Sequence, residues 1–217
     1  MDQTDRPALI DVLIAEHGTL YSEAMGADIA RDTPQELFHW LVGAILLSAR
    51  ISANLAVQAG AALRQAGLHK IDGILGAERA DLVRVLNRNG YARYDESTAD
   101  YLRDTARWVR ETWGDDLRRL RDASGDAEGL RRALTGAKGL GPTGARIFAR
   151  EAQLVWDVVY PALDGPALEQ ARHYGLPDEA GRLADLAGGR ERFVRLCAAL
   201  TVVALDGPSA RVAALTD

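Results

Sequence analysis

The chain has 217 residues, of which 47% are hydrophobic, 26% are charged and 6% are aromatic. This composition is typical of a folded globular protein and excludes intrinsic disorder, and the length suffices for one large domain or two small ones. The single cysteine excludes an internal disulfide and an all-cysteine metal or iron–sulfur site within one chain, while the net charge of −5 argues at first against a polyanionic partner.

The charge is distributed unevenly along the chain. The first 40 residues contain 8 acidic and 2 basic side chains, whereas residues 41–163 contain 15 acidic and 18 basic ones. The central part is therefore mildly basic, so a nucleic-acid partner is not excluded there. The apolar runs are too short or too interrupted to cross a bilayer, and we expect a cytoplasmic protein without a membrane partner.

Helical patterns dominate the sequence. Thr33–Glu36 combines a capping box with a proline at the first helical position, and apolar residues follow at helical spacing to Ser48. Further helices are predicted, in chain order, over residues 52–67, 80–86, 97–113, 129–134, 142–154, 166–174 and 189–205. Only Trp156–Tyr160 looks extended, and it is isolated. We therefore predict an all-α chain of about ten short helices.

These helices are predicted to form two lobes that share a cleft. One lobe comprises residues 33–163 and contains a glycine-punctuated turn at about 134–146. The other lobe comprises residues 1–32 together with 164–217, so both termini contribute to it. No low-complexity linker separates the lobes, which favours a shared cleft over separable domains.

The turn between the two predicted helices at 129–134 and 142–154 is the most informative segment. Gly139 and Gly141 flank an apolar residue and let the backbone approach an anion closely. The helix that begins at Pro142 presents unpaired N–H groups in its first turn, which favour phosphate. Taken alone, such a turn more often only connects two helices. The neighbouring sequence features therefore decide whether it binds phosphate.

That context resembles the helix-hairpin-helix DNA glycosylases, the endonuclease III superfamily. Residues 134–145 are similar to the family's hairpin, which reads leucine-proline-glycine-valine-glycine, two variable positions, then threonine-alanine. Gly139–Gly141 and Ala145 fit this pattern, whereas Ala137 and Lys138 replace the leucine and proline, and Gly144 replaces the threonine.

Three further landmarks follow in the family's order. Leu46–Arg50 resembles its leucine-leucine-serine-alanine-glutamine run, and Asn89–Tyr91 resembles its glycine-containing wedge turn. Asp164 lies 21 residues beyond Thr143, where the family places its catalytic carboxylate. The resemblance covers about residues 33–175 and implies a helix-hairpin-helix DNA glycosylase-like architecture.

The resemblance implies base-excision repair of DNA. A glycosylase extrudes a nucleotide and cuts its glycosidic bond through a transition state with oxocarbenium character. A carboxylate stabilises that charge and deprotonates the attacking water, and Asp164 is the candidate for this role. Because Asp164 precedes a predicted helix, a helix cap is the alternative use of its side chain.

Position 143 distinguishes two subclasses of the family. Members that also nick the abasic strand carry a lysine there, whose amine forms a Schiff base with the sugar. This chain has Thr143, which cannot form the imine, so we predict hydrolysis by water with little or no lyase activity. Lys138 is a conceivable substitute for the missing amine, although phosphate contact or solvation fits it better.

The resemblance also assigns DNA contacts. Arg50 stands where the family's glutamine fills the gap left by the extruded nucleotide, and Tyr91 stands at the wedge turn. Their alternatives are a surface cation at a helix end and a packed aromatic residue. The predicted DNA-binding residues are Arg50, Tyr91, Lys138, Gly139, Leu140, Gly141, Thr143, Gly144 and Arg146. Arg93 and Arg150 are further candidates for phosphate contact.

The resemblance implies one metal and no iron–sulfur cluster. A monovalent cation is expected at the backbone carbonyls of Thr135, Ala137 and Leu140. The family's four-cysteine loop is missing, because Cys197 stands alone in an apolar helix where it is expected in the core. We therefore predict no other cofactor.

The leading hypothesis is a monofunctional glycosylase that acts as a monomer, in the cytoplasm and at the nucleoid, on double-stranded DNA containing a damaged or mispaired base. A bifunctional glycosylase and abasic-site lyase is the first alternative. A DNA-binding protein that has lost the chemistry is the second. The substrate base is not readable from the sequence, and Trp40, His39 and Tyr160 are guesses at the lining of its pocket.

Overall fold

A computed structural model describes residues 6–216, in which 73% of the chain is helical and no strand occurs. The all-α prediction is therefore confirmed. The helices, in chain order, are α1 (Arg6–His17), α2 (Tyr21–Met25), α3 (Pro34–Leu47), α4 (Ala53–Gln65), α5 (Ile71–Gly76), α6 (Arg79–Leu86), α7 (Asp95–Trp113), α8 (Leu117–Ala123), α9 (Ala127–Leu134), α10 (Pro142–Ala152), α11 (Gly165–His173), α12 (Ala180–Ala187), α13 (Arg190–Asp206) and α14 (Ala210–Thr216). Single 3₁₀ turns occupy Ile29–Arg31 and Asp157–Val159, and a wide turn, Asn87–Tyr91, follows α6 directly.

The one segment that looked extended in the sequence is not extended. Asp157–Val159 forms a 3₁₀ turn in place of a strand. Trp156 fixes this segment, because its indole N–H donates to the Asp32 carboxylate at 2.9 Å and its ring packs 5.5 Å from that of Phe148. The contacts of the buried Trp156 hold this apolar run in place without a partner strand. A short apolar run alone therefore does not distinguish a strand from a buried turn.

The chain divides into two compact units. The central unit is Tyr21–Val158, and the terminal unit combines the described residues of Met1–Leu20 and Val159–Asp217. Residues 1–5 and 217, which the predicted terminal lobe included, lie outside the described residues. The central unit contains the hairpin and α3, and the terminal unit contains Asp164.

A buried carboxylate explains why residues 21–32, which the sequence analysis assigned to the terminal lobe, pack in the central unit. Glu151 of α10 is fully buried, and its two oxygens accept the backbone N–H groups of Tyr21 and Ser22 at 2.9 Å each. Burial raises the pKa of Glu151, although these hydrogen bonds act in the opposite direction. The first turn of α2 is thus held on α10.

Helix α3 forms the centre of the central unit, with every residue from Glu36 to Leu46 buried. Pro34 occupies its first turn as predicted, but the Thr33 side chain makes no cap hydrogen bond. The Glu36 carboxylate, predicted to be part of a capping box, instead accepts the Asp28 N–H and binds the Arg64 guanidinium, each at 2.9 Å. These contacts fix the helix whose last turn leads into Arg50.

In the terminal unit, α13 packs against α1, α11 and α12. Phe193, Leu196 and Cys197 lie on its buried side, which agrees with the expected core position of the cysteine. Among residues 6–216, no single helix is long and apolar enough to cross a membrane; α13 and α14 meet that criterion only as a pair, and they are bent by 95°.

The buried imidazole of His39 predicts a loss of stability in acid. Its Nε2–H donates to the Gly60 carbonyl at 3.2 Å and its Nδ1 accepts from Arg64 at 3.3 Å, so the ring is neutral. Burial lowers the pKa of His39 to about 4. The unfolded chain therefore binds a proton that the folded chain does not, and stability is lost as the pH falls from about 6.5 towards 4, by about 3 kcal/mol.

Urea unfolding of the wild type, His39→Gln and the exposed-site control His173→Gln at pH 7.5 and pH 4.5 tests this. We expect the wild type and His173→Gln to lose more stability between the two pH values than His39→Gln does. Equal losses in all three proteins would contradict the prediction. The comparison uses pH differences, so any fixed cost of replacing His39 does not affect it.

Candidate nucleic-acid interface

The predicted hairpin joins α9 to α10 by a tight turn at residues 135–141. The Ala137 carbonyl accepts the Leu140 N–H at 3.1 Å, and the Thr105 hydroxyl of α7 donates to the Lys138 carbonyl at 3.2 Å. Ala137 and Leu140 are buried, whereas the Lys138 side chain is exposed. The turn is thus anchored on its inner side and presents its tip to solvent.

Two glycines let this hairpin pack closely on its neighbours. Gly139 has a φ of +83°, and a Cβ there would lie 2.6 Å from the ring of Tyr101. Gly144, in the first turn of α10, is buried, and a Cβ there would overlap the Ser48 hydroxyl oxygen and lie 2.6 Å from Leu140 Cδ1. Gly144, one of the departures from the family pattern, therefore allows the hairpin to approach the end of α3.

Helix α10 begins without a side-chain cap, because its N-cap residue is Gly141. The Thr143 N–H in the first turn therefore donates to no side chain that the structure describes. The position that a Cβ of Gly141 would occupy has nothing within 4 Å, and Thr143 itself is exposed. An open helix N-terminus carries partial positive charge and is suited to phosphate.

A groove of about 400 Å³ lies beside the hairpin in the central unit. It is lined by residues from three separate segments that carry the family resemblance, namely Arg50 after α3, Tyr91 in the turn after α6, and Gly139 of the hairpin. Tyr94 and Tyr101, at the start of α7, line much of the rest. The fold thus brings together on one surface segments that are far apart in the sequence.

Tyr91 is a core residue in this structure. It is 1% exposed, and its hydroxyl donates to the Leu46 carbonyl of α3 at 2.9 Å. Burial raises the pKa of Tyr91 to about 12. A ring held in this way does not reach into a base stack, so Tyr91 positions the segment that leads to Arg50 and does not form the predicted wedge contact.

The cations around the groove and the hairpin differ from many other arginines of the central unit. Elsewhere, arginines are committed to carboxylates, as in the pairs Arg79–Asp100 at 2.7 Å and Arg107–Asp104 at 2.8 Å. Around the groove and the hairpin, Arg50, Arg93, Lys138 and Arg146 are exposed and form no ion pair with a described carboxylate, a property that they share with Lys70, Arg88, Arg119 and Arg132. They can meet phosphate without breaking an ion pair, which favours a polyanionic ligand. Arg150 is half-buried.

Asp164 is a partly exposed carboxylate in the terminal unit. It occupies the N-cap position of α11 with φ −147° and ψ 174°, yet its side chain makes no cap hydrogen bond. No described residue forms an ion pair with it. The helix-cap interpretation is therefore not realised in this geometry, and the carboxylate is available to a ligand.

The monovalent cation is expected at the backbone carbonyls of Thr135, Ala137 and Leu140. The Ala137 carbonyl is used within the turn, but a carbonyl oxygen has a second lone pair for a cation. The cation site stays a prediction. Over residues 6–216, no group of three or more His, Cys, Asp or Glu side chains is arranged to hold a metal ion.

Two of the three residues guessed to line a base pocket belong to the core. Trp40 is 0% exposed and donates to the Phe148 carbonyl at 3.0 Å, and His39 is equally buried. Tyr160, in the terminal unit, is half-buried, and the Arg190 guanidinium lies 4.2 Å from its ring centroid. Trp40 and His39 therefore cannot contact a base in this geometry.

Tyr94 and Tyr101 line the groove but were not predicted from the sequence. Tyr94, Thr98 and Tyr101 recur at the spacing i, i+4 and i+7, which places them on one face of a helix. All three residues line the groove, so this helical spacing could have identified them from the sequence.

The sequence matches no known family model and no curated protein. The groove, the hairpin and the Asp164 carboxylate are therefore the features from which a function is inferred.

Proposed function

We propose that this protein is a DNA glycosylase of base-excision repair, which extrudes a damaged or mispaired base from duplex DNA and hydrolyses its N-glycosidic bond. The observation that carries the proposal is the convergence of Arg50, the turn Asn87–Tyr91 and Gly139 on one groove beside an open helix N-terminus. Chain connectivity does not require these segments to meet. Their meeting supports the family resemblance, and with it a two-lobed helix-hairpin-helix architecture.

In this proposal the hairpin holds the DNA backbone. The Thr143 N–H and the exposed Lys138 and Arg146 side chains contact phosphates, and a monovalent cation held by the backbone carbonyls of Thr135, Ala137 and Leu140 would supply further positive charge. Because an acidic protein neutralises few phosphates, its non-specific binding is weak and its affinity falls only gradually as salt rises. The protein acts as a monomer on DNA, in the cytoplasm.

Asp164 performs the chemistry. As the bond between C1′ and the base nitrogen breaks, positive charge develops on the sugar, and the carboxylate stabilises it. Water then forms a bond to C1′ and loses a proton to Asp164, while the departing base takes the bonding electrons and a proton from solvent, to which Asp164 later returns its own. The products are the free base and an abasic site.

A panel of duplexes tests this function. Each contains uracil, an oxidised pyrimidine, 8-oxoguanine, a mispaired adenine or an alkylated purine, and the released base is measured chromatographically. Release from at least one duplex supports the proposal. Tight duplex binding without release from any of them would instead favour the non-catalytic DNA-binding protein.

Thr143 predicts that the abasic strand is not nicked. A hydroxyl forms no Schiff base, so borohydride is expected to trap no covalent adduct between the wild-type protein and abasic DNA. Because Thr143 is exposed in the first turn of α10, Thr143→Lys introduces an amine without disturbing the core, and we expect it to yield a trapped adduct.

Lys138→Ala is the matched variant for the same trapping experiment, because Lys138 lies exposed at the tip of the hairpin. An adduct formed by the wild type and lost in Lys138→Ala would overturn the monofunctional assignment. The protein would then be a bifunctional glycosylase and lyase that uses a displaced lysine.

A further inference from the structure

The tip of the hairpin is a β-turn of type II. The Leu140 N–H donates to the Ala137 carbonyl at 3.1 Å, which closes a four-residue turn with Lys138 and Gly139 at its centre. Gly139 has a φ of +83°, whereas the φ of Lys138 is not positive, and this combination is that of type II. A turn of type I differs mainly by a flip of the peptide between these two residues, and glycine permits both forms.

Helix α7 holds the central peptide of this turn in one orientation. The Thr105 side chain is 0% exposed, and its hydroxyl donates to the Lys138 carbonyl at 3.2 Å. A threonine hydroxyl within a helix commonly donates to the carbonyl one turn earlier, but this one crosses to the hairpin. Thr105 thereby stabilises the form of the turn in which the Lys138 carbonyl faces α7.

The neighbours of Thr105 on α7 also contact the hairpin. Tyr101, Thr105 and Trp108 recur at the spacing i, i+4 and i+7, so they lie on one face of α7. A Cβ at Gly139 would lie 2.6 Å from the Tyr101 ring, and a Cβ at Gly136 would lie 2.8 Å from the Trp108 ring. Both glycines therefore pack directly on α7, next to the hydrogen bond that Thr105 makes.

The orientation of the Lys138 carbonyl determines where the next N–H points. The peptide bond between Lys138 and Gly139 is trans, so its carbonyl and its N–H point in opposite directions. Because the carbonyl is directed at α7, the Gly139 N–H is directed away from it. Gly139 is exposed, and no described residue accepts a hydrogen bond from its N–H. This N–H is therefore a free donor on the outer side of the hairpin, and backbone N–H groups bind oxyanions well.

We propose that Thr105 is a positioning residue for DNA binding, whose hydroxyl stabilises the form of the turn in which the Gly139 N–H meets a backbone phosphate. The inference rests on the proposed function, in which the hairpin holds the DNA backbone. Thr105 does not itself touch DNA, because it is fully buried. In the type I form the N–H would face α7, and the carbonyl oxygen, which carries partial negative charge, would face the phosphate.

Two substitutions separate the hydroxyl of Thr105 from its packing. Thr105→Val keeps the branched shape but removes the donor, whereas Thr105→Ser keeps the donor. We expect Thr105→Val to bind duplex DNA about 3- to 10-fold more weakly than the wild type, and Thr105→Ser to bind as the wild type does. Circular dichroism of each variant verifies its fold. Equal affinity of Thr105→Val and the wild type would overturn the proposal.

Neutral phosphate analogues distinguish a lost phosphate contact from a general loss of stability. Methylphosphonates, in which a methyl group replaces one charged oxygen, are placed singly along the duplex, and binding of each duplex is titrated. We expect one position at which the wild type and Thr105→Ser lose affinity by a larger factor than Thr105→Val does, because Thr105→Val has already weakened that contact. Losses that agree in all three proteins at every position would show that Thr105 does not act through a phosphate.

The amide resonance of Gly139 gives a measurement that needs no substitution. We expect its proton and nitrogen chemical shifts to change when the wild type is titrated with the unmodified duplex. The methylphosphonate position identified above should reduce that change. A Gly139 amide that does not respond to saturating duplex would overturn the proposal, whatever the variants do.

The outcome is separable from that of the glycosylase assay. If no duplex in the lesion panel releases a base but the Thr105-dependent loss at one phosphate is found, the proposed enzymatic function fails and the positioning role stands. If base release occurs but the three proteins respond alike to every methylphosphonate, the positioning role fails and the enzymatic function stands.

Discussion

Replacement of Asp164 by asparagine is expected to slow base release by about 100- to 10,000-fold, while duplex affinity and thermal stability stay at wild-type values. The rate falls because an amide neither carries the charge that stabilises the sugar cation nor accepts the proton of the attacking water. Stability is retained for two reasons. The Asp164 side chain makes no cap hydrogen bond to α11, and asparagine is as good an N-cap residue as aspartate.

Single-turnover kinetics on the duplex that the wild type processes fastest measure this effect, together with a binding titration and a thermal melt. Glu169→Gln is the matched control, because Glu169 is an exposed carboxylate on the same helix, and we expect it to keep full activity. Base release by Asp164→Asn at the wild-type rate would falsify the catalytic assignment. A loss of activity accompanied by a lower melting temperature would instead return Asp164 to a structural role.

Most of the longer helices could be predicted because their patterns are local, although α1, with 12 residues, was not predicted. The run that follows Thr33–Glu36 predicts α3, and the apolar spacing up to Trp113 predicts most of α7. Helices α5, α8 and α12, with 6 to 8 residues, were not predicted, whereas α6 and α9, with 8 residues each, were. One or two turns give little periodicity, so a helix of this length is predicted only where its ends are also marked in the sequence. The ion pair between Glu36 and Arg64 could not be predicted from the local sequence either, because Arg64 lies on the next helix.

The candidate site also has some features that could be predicted from the sequence and others that could not. The glycines of the hairpin are readable from the sequence, because turn geometry depends on neighbouring residues. The burial of Tyr91 is not readable, because it depends on the Leu46 carbonyl 45 positions away. The lack of a cap hydrogen bond at Asp164 is equally a property of the folded chain, since the local sequence favours the cap.

The hairpin contains two glycines for which the structure predicts opposite effects. Gly144→Ala is expected to destabilise the protein, because the new Cβ would overlap the Ser48 hydroxyl oxygen and crowd Leu140. Overpacking of this kind costs about 1–3 kcal/mol, against about 1 kcal/mol that alanine gains over glycine as a helix former. The sign of the measured change in unfolding free energy is therefore informative, and a clear stabilisation would show that α10 has room at Gly144.

Gly141→Ser is expected to do the reverse, leaving stability unchanged or slightly raised while lowering affinity for DNA by about ten-fold or more. Nothing lies within 4 Å of a Cβ at Gly141, and serine is a slightly better N-cap residue than glycine. Its hydroxyl accepts from the N–H groups in the first turn of α10, which are the donors that a phosphate needs. Urea unfolding and a duplex titration of both variants separate the two effects. Unchanged DNA affinity in Gly141→Ser would show that phosphate does not approach the first turn of α10, and the assignment of the hairpin to the DNA backbone would then be wrong.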